Sequence, residues 1–284
     1  MIVEKEITMN MNTTSINLPS TAYTHGGVFH ADDIFATAVL KMANPAIEIK
    51  RVFKVPELAD NEIAFDIGGG KFDHHQVTDI ECHDDDARTP YAAFGLIWRE
   101  YGHLLVSDMG FKTIERDLVI PIDAADNGVG FNPMTAYIKS LNPSWDETVG
   151  DQFNEAVDFA GKILNKFIEK SRSVDRAWDL IVNAMNANQE LYNLGILKLD
   201  KYVPWKDLCM ENGTNARFSI YPSLRGGYNV ESIDSAQYPL PEEWLAELPE
   251  GMTFCHRNRF IAAVETEEKA IEYAKAAAKA FSDC

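Results

Sequence analysis

Paired cysteines are missing from this chain. Cys82, Cys209, Cys255 and Cys284 are scattered with no Cys-x-x-Cys spacing, which argues against a disulfide framework or a cysteine-built zinc site and suits a reducing compartment. Long apolar runs are missing too: nothing approaches the ~20 residues of a membrane span. The opening stretch "MIVEKEITMNMNTTSINLPSTAY" lacks the basic-then-apolar order of a signal peptide, so residues 1–22 are expected to be a flexible leader and the location cytoplasmic. Basic charge is scarce. Against 44 Asp+Glu stand only 26 Lys+Arg, a net charge of −18. Such a surface repels phosphate backbones and disfavours a broad nucleic-acid groove. A small anionic substrate, or a strand end drawn in by metal ions, stays compatible. Most of the acid reads as a solubility coat.

What is present is enough apolar material, 46% of 284 residues, for two modest cores. "FHADDIFATAVLKMAN" places Ile34, Ala38, Val39 and Met42 on one helical face, with Asp32 and Asp33 at its positive N-terminal end. "EIKRVF" and "EIAFDIGG" read as short buried strands, so strand, helix, strand and glycine-rich loop predict an α/β fold with a parallel sheet. "TPYAAFGLIWREYG" predicts a helix capped by Thr89 with Pro90 at its first position. Residues 23–150 form the first expected domain. A helical tract over 151–190, read as two helices, is the expected connector. Residues 191–284 follow as a smaller mixed α+β domain of hairpin strands, closed by a helix starting from Thr266.

Four of seven histidines fall in "THGGVFHADD" and "FDIGGGKFDHHQ", interleaved with aspartates. His25, His30 and Asp32 lie at a strand end and the turn into a helix. Asp66 ends the second strand, and Asp73, His74 and His75 lie just past it. Asp123 and Asp126 end a third apolar segment. Parallel topology would gather these ends at one sheet edge, where sites form. Nitrogen and carboxylate donors without thiolate suit Mn²⁺, Mg²⁺, Co²⁺ or Fe²⁺. Two such ions need a bridging carboxylate, for which Asp66 is the natural candidate, and together they can activate water and neutralise a phosphoryl group. Gly68 to Gly70 would let the backbone pass tightly around them. The plainer readings apply elsewhere: His103 as a hydrogen-bonded core residue, His83 as a surface-loop residue, "HDDD" as a solvated run. Burying the His25–His75 set unpaired would be costly.

"FDHHQ" resembles the motif of the DHH phosphoesterases, a superfamily that includes RecJ-type exonucleases and manganese inorganic pyrophosphatases. "THGGVFHADD", "FDIGGGKFDHHQ", "IDAADNG", "SLNPSW", "VPWK" and "PLPEEW" more closely resemble the Myg-type, or melanocyte-proliferating-gene, family, from about Thr24 to the end of the chain. The resemblance implies a metal-dependent 3′–5′ RNA exonuclease of two domains, the first DHH-type and metal-binding, the second closing over substrate. It implies that His25, His30 and Asp66 hold one ion. Asp32, Asp66 and His74 would hold the other with an aspartate of "IDAADNG", Asp123 being favoured over Asp126. His75 would act at the scissile phosphate. Arg225, Gly226 and Gly227 would form a phosphate-binding turn, with His256 and Arg257 as further candidates. Ala31-Asp32-Asp33 replaces the family's usual Cys-Asp-Glu but keeps both carboxylates. Tyr228 stands where tryptophan is common, a change that bears on substrate.

The resulting expectation is a phosphodiester hydrolase with two divalent ions, Mn²⁺ foremost, attacking phosphorus through a metal-bridging hydroxide, with Asp66 and His75 catalytic. Its partner would be short RNA or a small phosphate ester, and a homodimer is the default for an enzyme. Hydrolysis of a phosphoanhydride or cyclic dinucleotide, or metal binding without catalysis, are the alternatives.

Overall fold

A computed structural model describes residues 18–75, 81–84, 86–147 and 150–281, so most of the expected leader, Gln76 and Cys284 lie outside the described residues. The chain divides into two compact units at Arg172/Ser173.

The first unit is built on a parallel sheet of three strands, β1 (Thr21–His25), β2 (Glu48–Val52) and β3 (Glu62–Ala64), in the order β2-β1-β3. Thr21 pairs with both Glu48 and Glu62, so all three strands run out at one edge, where His25, Phe53 and Asp66 leave the sheet. Helix α1 (Ala31–Ala43) connects β1 to β2. The single apolar face expected for it is too modest a description, since every residue from Ala31 to Leu40 is buried. A short ribbon, β4 (Cys82–His83) and β5 (Asp86–Pro90), leads into α2 (Ala93–Tyr101). Thr89 and Pro90 therefore end a strand and do not cap the helix. The third apolar segment is helical. It continues helix α3 (Asp108–Ile114) through a π-turn at Glu115–Val119 into α4 (Ile120–Asp126), and α5 (Pro133–Ser140) follows. One core holds this unit together, with Ile34, Phe35, Phe65, Phe94, Trp98 and Ile122 fully buried.

In place of two connector helices, α6 (Gln152–Ala187) runs unbroken for 36 residues, followed by the short α7 (Gln189–Asn193). The second unit carries a mixed sheet, β6 (Ile196–Lys198), β7 (Phe218–Pro222), β8 (Tyr228–Ser232), β9 (Met252–Cys255) and β10 (Ile261–Val264), in the order β6-β7-β8-β10-β9. Short helices α8 (Trp205–Glu211) and α9 (Glu243–Ala246) interrupt it. Its own core includes Phe218, Val230, Trp244 and the alanine face of α10 (Glu267–Lys279), whose cap is Thr266 accepting from the Lys269 amide, as expected.

Candidate metal centre

Each element that reaches the sheet edge delivers one or two ligand-type side chains. β1 ends in His25. His30 precedes α1, and Asp33 accepts from its amide (2.9 Å), fixing the second acid of "HADD" at the helix N-terminus. Asp66 follows β3 with φ +55°, a left-handed conformation that Asp and Asn tolerate better than most residues. Asp126 is the last residue of α4. These groups converge. His25 Nε2 lies 3.1 Å from Asp66 Oδ2 and 3.3 Å from Asp33 Oδ2, and His74 Nε2 lies 3.1 Å from Asp126 Oδ2. Donor atoms fall within 4.8 Å of one another in four overlapping sets. They are His25–His30–Asp66, His30–Asp32–Asp126, Asp32–Asp33–Asp66 and Asp66–Asp73–His74–His75. Asp66 belongs to three of the four, so it sits at the middle.

Hydrogen bonding does not account for this crowding. Eleven buried side-chain N and O atoms have no hydrogen-bond partner among the described residues, and seven belong to His25, Asp32, Asp33, Asp66 and His74. Several stand close to an oppositely charged neighbour without hydrogen-bond alignment, as His25 Nε2 does beside Asp66. Buried polar atoms in such numbers are costly unless something between them is coordinated. The donor set therefore fits divalent cations.

Without a cation the protonation states are displaced. Contacts with Asp33 and Asp66 push His25 up to about 10 against the opposing effect of burial. Burial, reinforced by Asp66, Asp126 and Asp33, holds Asp32 well above the usual carboxylate range. Burial would lower His74, but Asp126 and Asp66 outweigh it and raise it. Since these protons must leave for a cation to bind, Mn²⁺ added at pH 7 to chelator-treated protein should release at least one proton. Its apparent affinity should rise as pH climbs toward 10. Calorimetry in buffers of differing ionisation heat measures this, and zero release would contradict the site.

His75 differs from its neighbour. Its ring is stacked on His74 at 4.4 Å and its side chain is 56% exposed. Asp73 Oδ1 receives both the His75 amide (3.1 Å) and Nδ1 (2.8 Å), leaving Nε2 free to act outward. Burial would raise Asp73, but the amides of Gly69 and His75 outweigh it and lower it, keeping it an acceptor.

Asp123 does not join this group, contrary to the preference read from sequence. It is fully buried, and its carboxylate accepts from the amides of Ala92 (2.9 Å) and Gly95 (3.2 Å) at the start of α2 and contacts His83 Nε2 (2.9 Å). Asp123 thus caps α2 from across the unit, the task sequence reading gives to Thr89. A Cβ at Gly95 would run into that carboxylate. His83 is likewise not a surface residue. It is buried between Asp123 and Glu115 (3.1 Å), and those acids outweigh its desolvation and push it up to about 9. His103, expected in the core, is half-exposed against Phe111. Gly68 and Gly69 are needed for φ values of +93° and +70°, whereas a Cβ on Gly69 or Gly70 would meet nothing. Their value is the turn itself, with Gly69 N–H donating to Asp73 (2.6 Å).

In the second unit Arg225 and Gly226 line a cleft of about 580 Å³ with Tyr202, Tyr221, Asn229 and Phe254. The Gly226 amide is spent on the turn, donating to Ser223 (3.1 Å), and Gly227 makes room for the Val264 carbonyl. His256 does not line this cleft. It packs on Phe260 and accepts from the Asn258 amide. Sequence reading missed Asp33 as a partner of His25 and Asp73 as the orienter of His75. The only available signals were their places beside Asp32 and within "DHH".

Residues 21–278 match a family described as MYG1_exonuc, an uncharacterised protein family (UPF0160). The chain belongs to this family. Among its relatives, the MYG1 protein of Dictyostelium discoideum is 26% identical over 88% of this chain and 94% of its own length. The MYG1 exonuclease of Homo sapiens is 25% identical over 89% and 84%. The MYG1 protein of Chlamydia trachomatis is 27% identical over 90% and 96%. A crystal structure of RecJ in complex with Mn²⁺ from Thermus thermophilus shows a TM-score of 0.28 at 12% identity, covering 94% of this chain but about half (52%) of that one. No helix among the described residues is long and apolar enough to cross a membrane.

Proposed function

We propose that this MYG1-family chain is a metal-dependent phosphodiester hydrolase that removes nucleotides from the 3′ end of short RNA. The carrying observation is the concentration of partnerless donor atoms on His25, Asp32, Asp33, Asp66 and His74. Relatives that bear the name exonuclease over most of this chain's length support the nucleic-acid substrate. His25, His30 and Asp66 would hold one ion and Asp32, Asp66, His74 and Asp126 a second, Mn²⁺ foremost. Four carboxylates, Asp32, Asp33, Asp66 and Asp126, would offset the charge of two divalent ions. When bound, such a pair supplies an activated water and neutralises charge on the phosphoryl group.

The chain's own residues do the rest. His75, oriented by Asp73 through Nδ1, presents Nε2 to the phosphate as donor or acid. Asp66, shared among three of the four donor sets, would contribute to both positions. Arg225, exposed at the tip of the β7–β8 hairpin, would supply a bidentate grip on a phosphate in the second unit. Arg225→Ala should lower kcat/KM by roughly 2–4 kcal/mol equivalent with metal content unchanged. Equal kcat/KM would leave the turn as ordinary surface.

The reading is tested with a short RNA labelled at either end, in the presence of Mn²⁺. A 3′ label should appear at once as mononucleotide, and a 5′ label should give a shortening ladder. The reverse pattern overturns the polarity. No turnover of RNA, DNA or dinucleotides overturns the activity, and faster turnover of a phosphoanhydride or cyclic dinucleotide reassigns the substrate.

A further inference from the structure

Among the described residues of the first unit, the large apolar side chains most open to solvent are Trp145 (97% exposed), Phe53 (87%) and Phe131 (82%). Two of them, Trp145 and Phe53, line one cleft of about 410 Å³, together with Val28, Phe29, Arg51 and Phe153. Its position is fixed by the sheet. Phe53 directly follows β2 at the edge where β1 delivers His25, and its ring lies against Gly26. Arg51 ties this wall to the metal centre, donating from Nε to the His25 carbonyl (3.2 Å) and from Nη2 to the Gly27 carbonyl (2.6 Å). The opposite wall is tied as firmly. Asn142 accepts from the Phe29 amide and donates to the Phe29 carbonyl, both at 2.9 Å, so the "SLNPSW" loop is clamped to the segment between His25 and His30. The loop thus presents Trp145 from an anchored base.

We propose that this cleft receives a nucleobase of a single-stranded oligonucleotide, stacked on Trp145 and Phe53, while an adjoining phosphodiester lies at the metal centre. The inference rests on the phosphodiester reading above and adds a subsite to it. Three features of the cleft and the chain favour a base as occupant. The volume is that of a small-ligand cleft. The walls combine the aromatic Phe29, Phe53, Trp145 and Phe153 with polar Asn142, Ser144 and Gln152 and the charged Arg51 and Glu147, a mixture that matches a flat ring with apolar faces and a polar edge. Stacking is uncharged and sequence-tolerant, so it gives a chain of net charge −18 a way to hold RNA that a basic groove would otherwise provide. A second protein copy fits less well. Two aromatic rings offer at most about 300–500 Å², well short of the ~800 Å² per partner of a stable interface.

The test compares binding of a short labelled RNA and of an abasic strand of equal length, with Ca²⁺ in place of Mn²⁺ to hold turnover down. Trp145→Ala and Phe53→Ala should each weaken RNA binding about 5- to 150-fold. Affinity for the abasic strand and metal content should not change, and Trp145→Phe should recover most of the loss. The cleft is overturned if both alanine variants bind RNA like the original, or lose RNA and abasic strand equally. It is also overturned if they change the oligomeric state instead of RNA affinity. Base-dependent binding without any hydrolysis by the original protein would sink the phosphodiester reading and leave the cleft standing. Hydrolysis unaffected by either variant would do the opposite.

Discussion

Asp66→Asn should reduce hydrolysis by roughly 10³-fold or more, beyond the 10²–10³ typical of losing one transition-state contact. Asp66 lies within reach of His25, His30, Asp32, Asp33, Asp73, His74 and His75, so its charge would serve both of the proposed cation positions. Metal content should fall from about two ions per chain toward one or none. The substitution is a clean probe because Asn tolerates the left-handed backbone at φ +55° as Asp does. Stability supplies a second readout: Asp66→Asn should lose the rise in melting temperature that Mn²⁺ gives the original protein. Full metal content with full activity would show that the bridge lies elsewhere.

The second large effect separates two aspartates three residues apart. Asp123→Ala should destabilise the first unit by about 3–5 kcal/mol, because it strands a buried His83 and opens the capped start of α2. Asp126→Asn should cost less stability, since its amide oxygen can still accept from His74, and should remove a proposed metal ligand. Denaturation midpoints and metal content, measured on both, should move in opposite columns. The reverse outcome would restore the preference for Asp123 that sequence alone suggests. His83 adds a pH signature. Its folded pKa of about 9 lies above its ordinary 6.5, so its contribution is fully present below about pH 6.5 and lost as pH rises through 9. The stability difference between the original and His83→Ala should shrink across that window.

The parts of the fold visible in sequence are those where local chemistry and tertiary structure agree. "EIKRVF" and "EIAFDIGG" are short apolar runs before turn residues, and both are strands in the parallel sheet. The Thr266 cap with its acidic first turn is local by nature. What stays hidden depends on contacts distant in sequence. The α2 cap is supplied from 31 positions away at Ala92 by Asp123, so no window around Thr89 could reveal it. Asp123 and Asp126 read only as the end of an apolar segment because "DLVIPIDAAD" is apolar enough for a strand or a helix. Residues three apart in a helix lie only about 60° apart on one face, so the separate partners of the two acids, α2 for Asp123 and His74 for Asp126, are set by what packs around them and not by the helical repeat. His83 is misread for the same reason, since its partners Glu115 and Asp123 are 32 and 40 positions on. The histidine–aspartate set itself is legible because its chemistry is packed into two short motifs.

The account stands on a two-cation centre bridged by Asp66 and completed by Asp126. Anomalous diffraction at the manganese edge, from crystals grown with Mn²⁺, tests it most directly. Two peaks should appear, one against His25, His30 and Asp66 and one against Asp32, Asp66, His74 and Asp126. No peak among these residues, or a peak seated on Asp123 and His83, would contradict it.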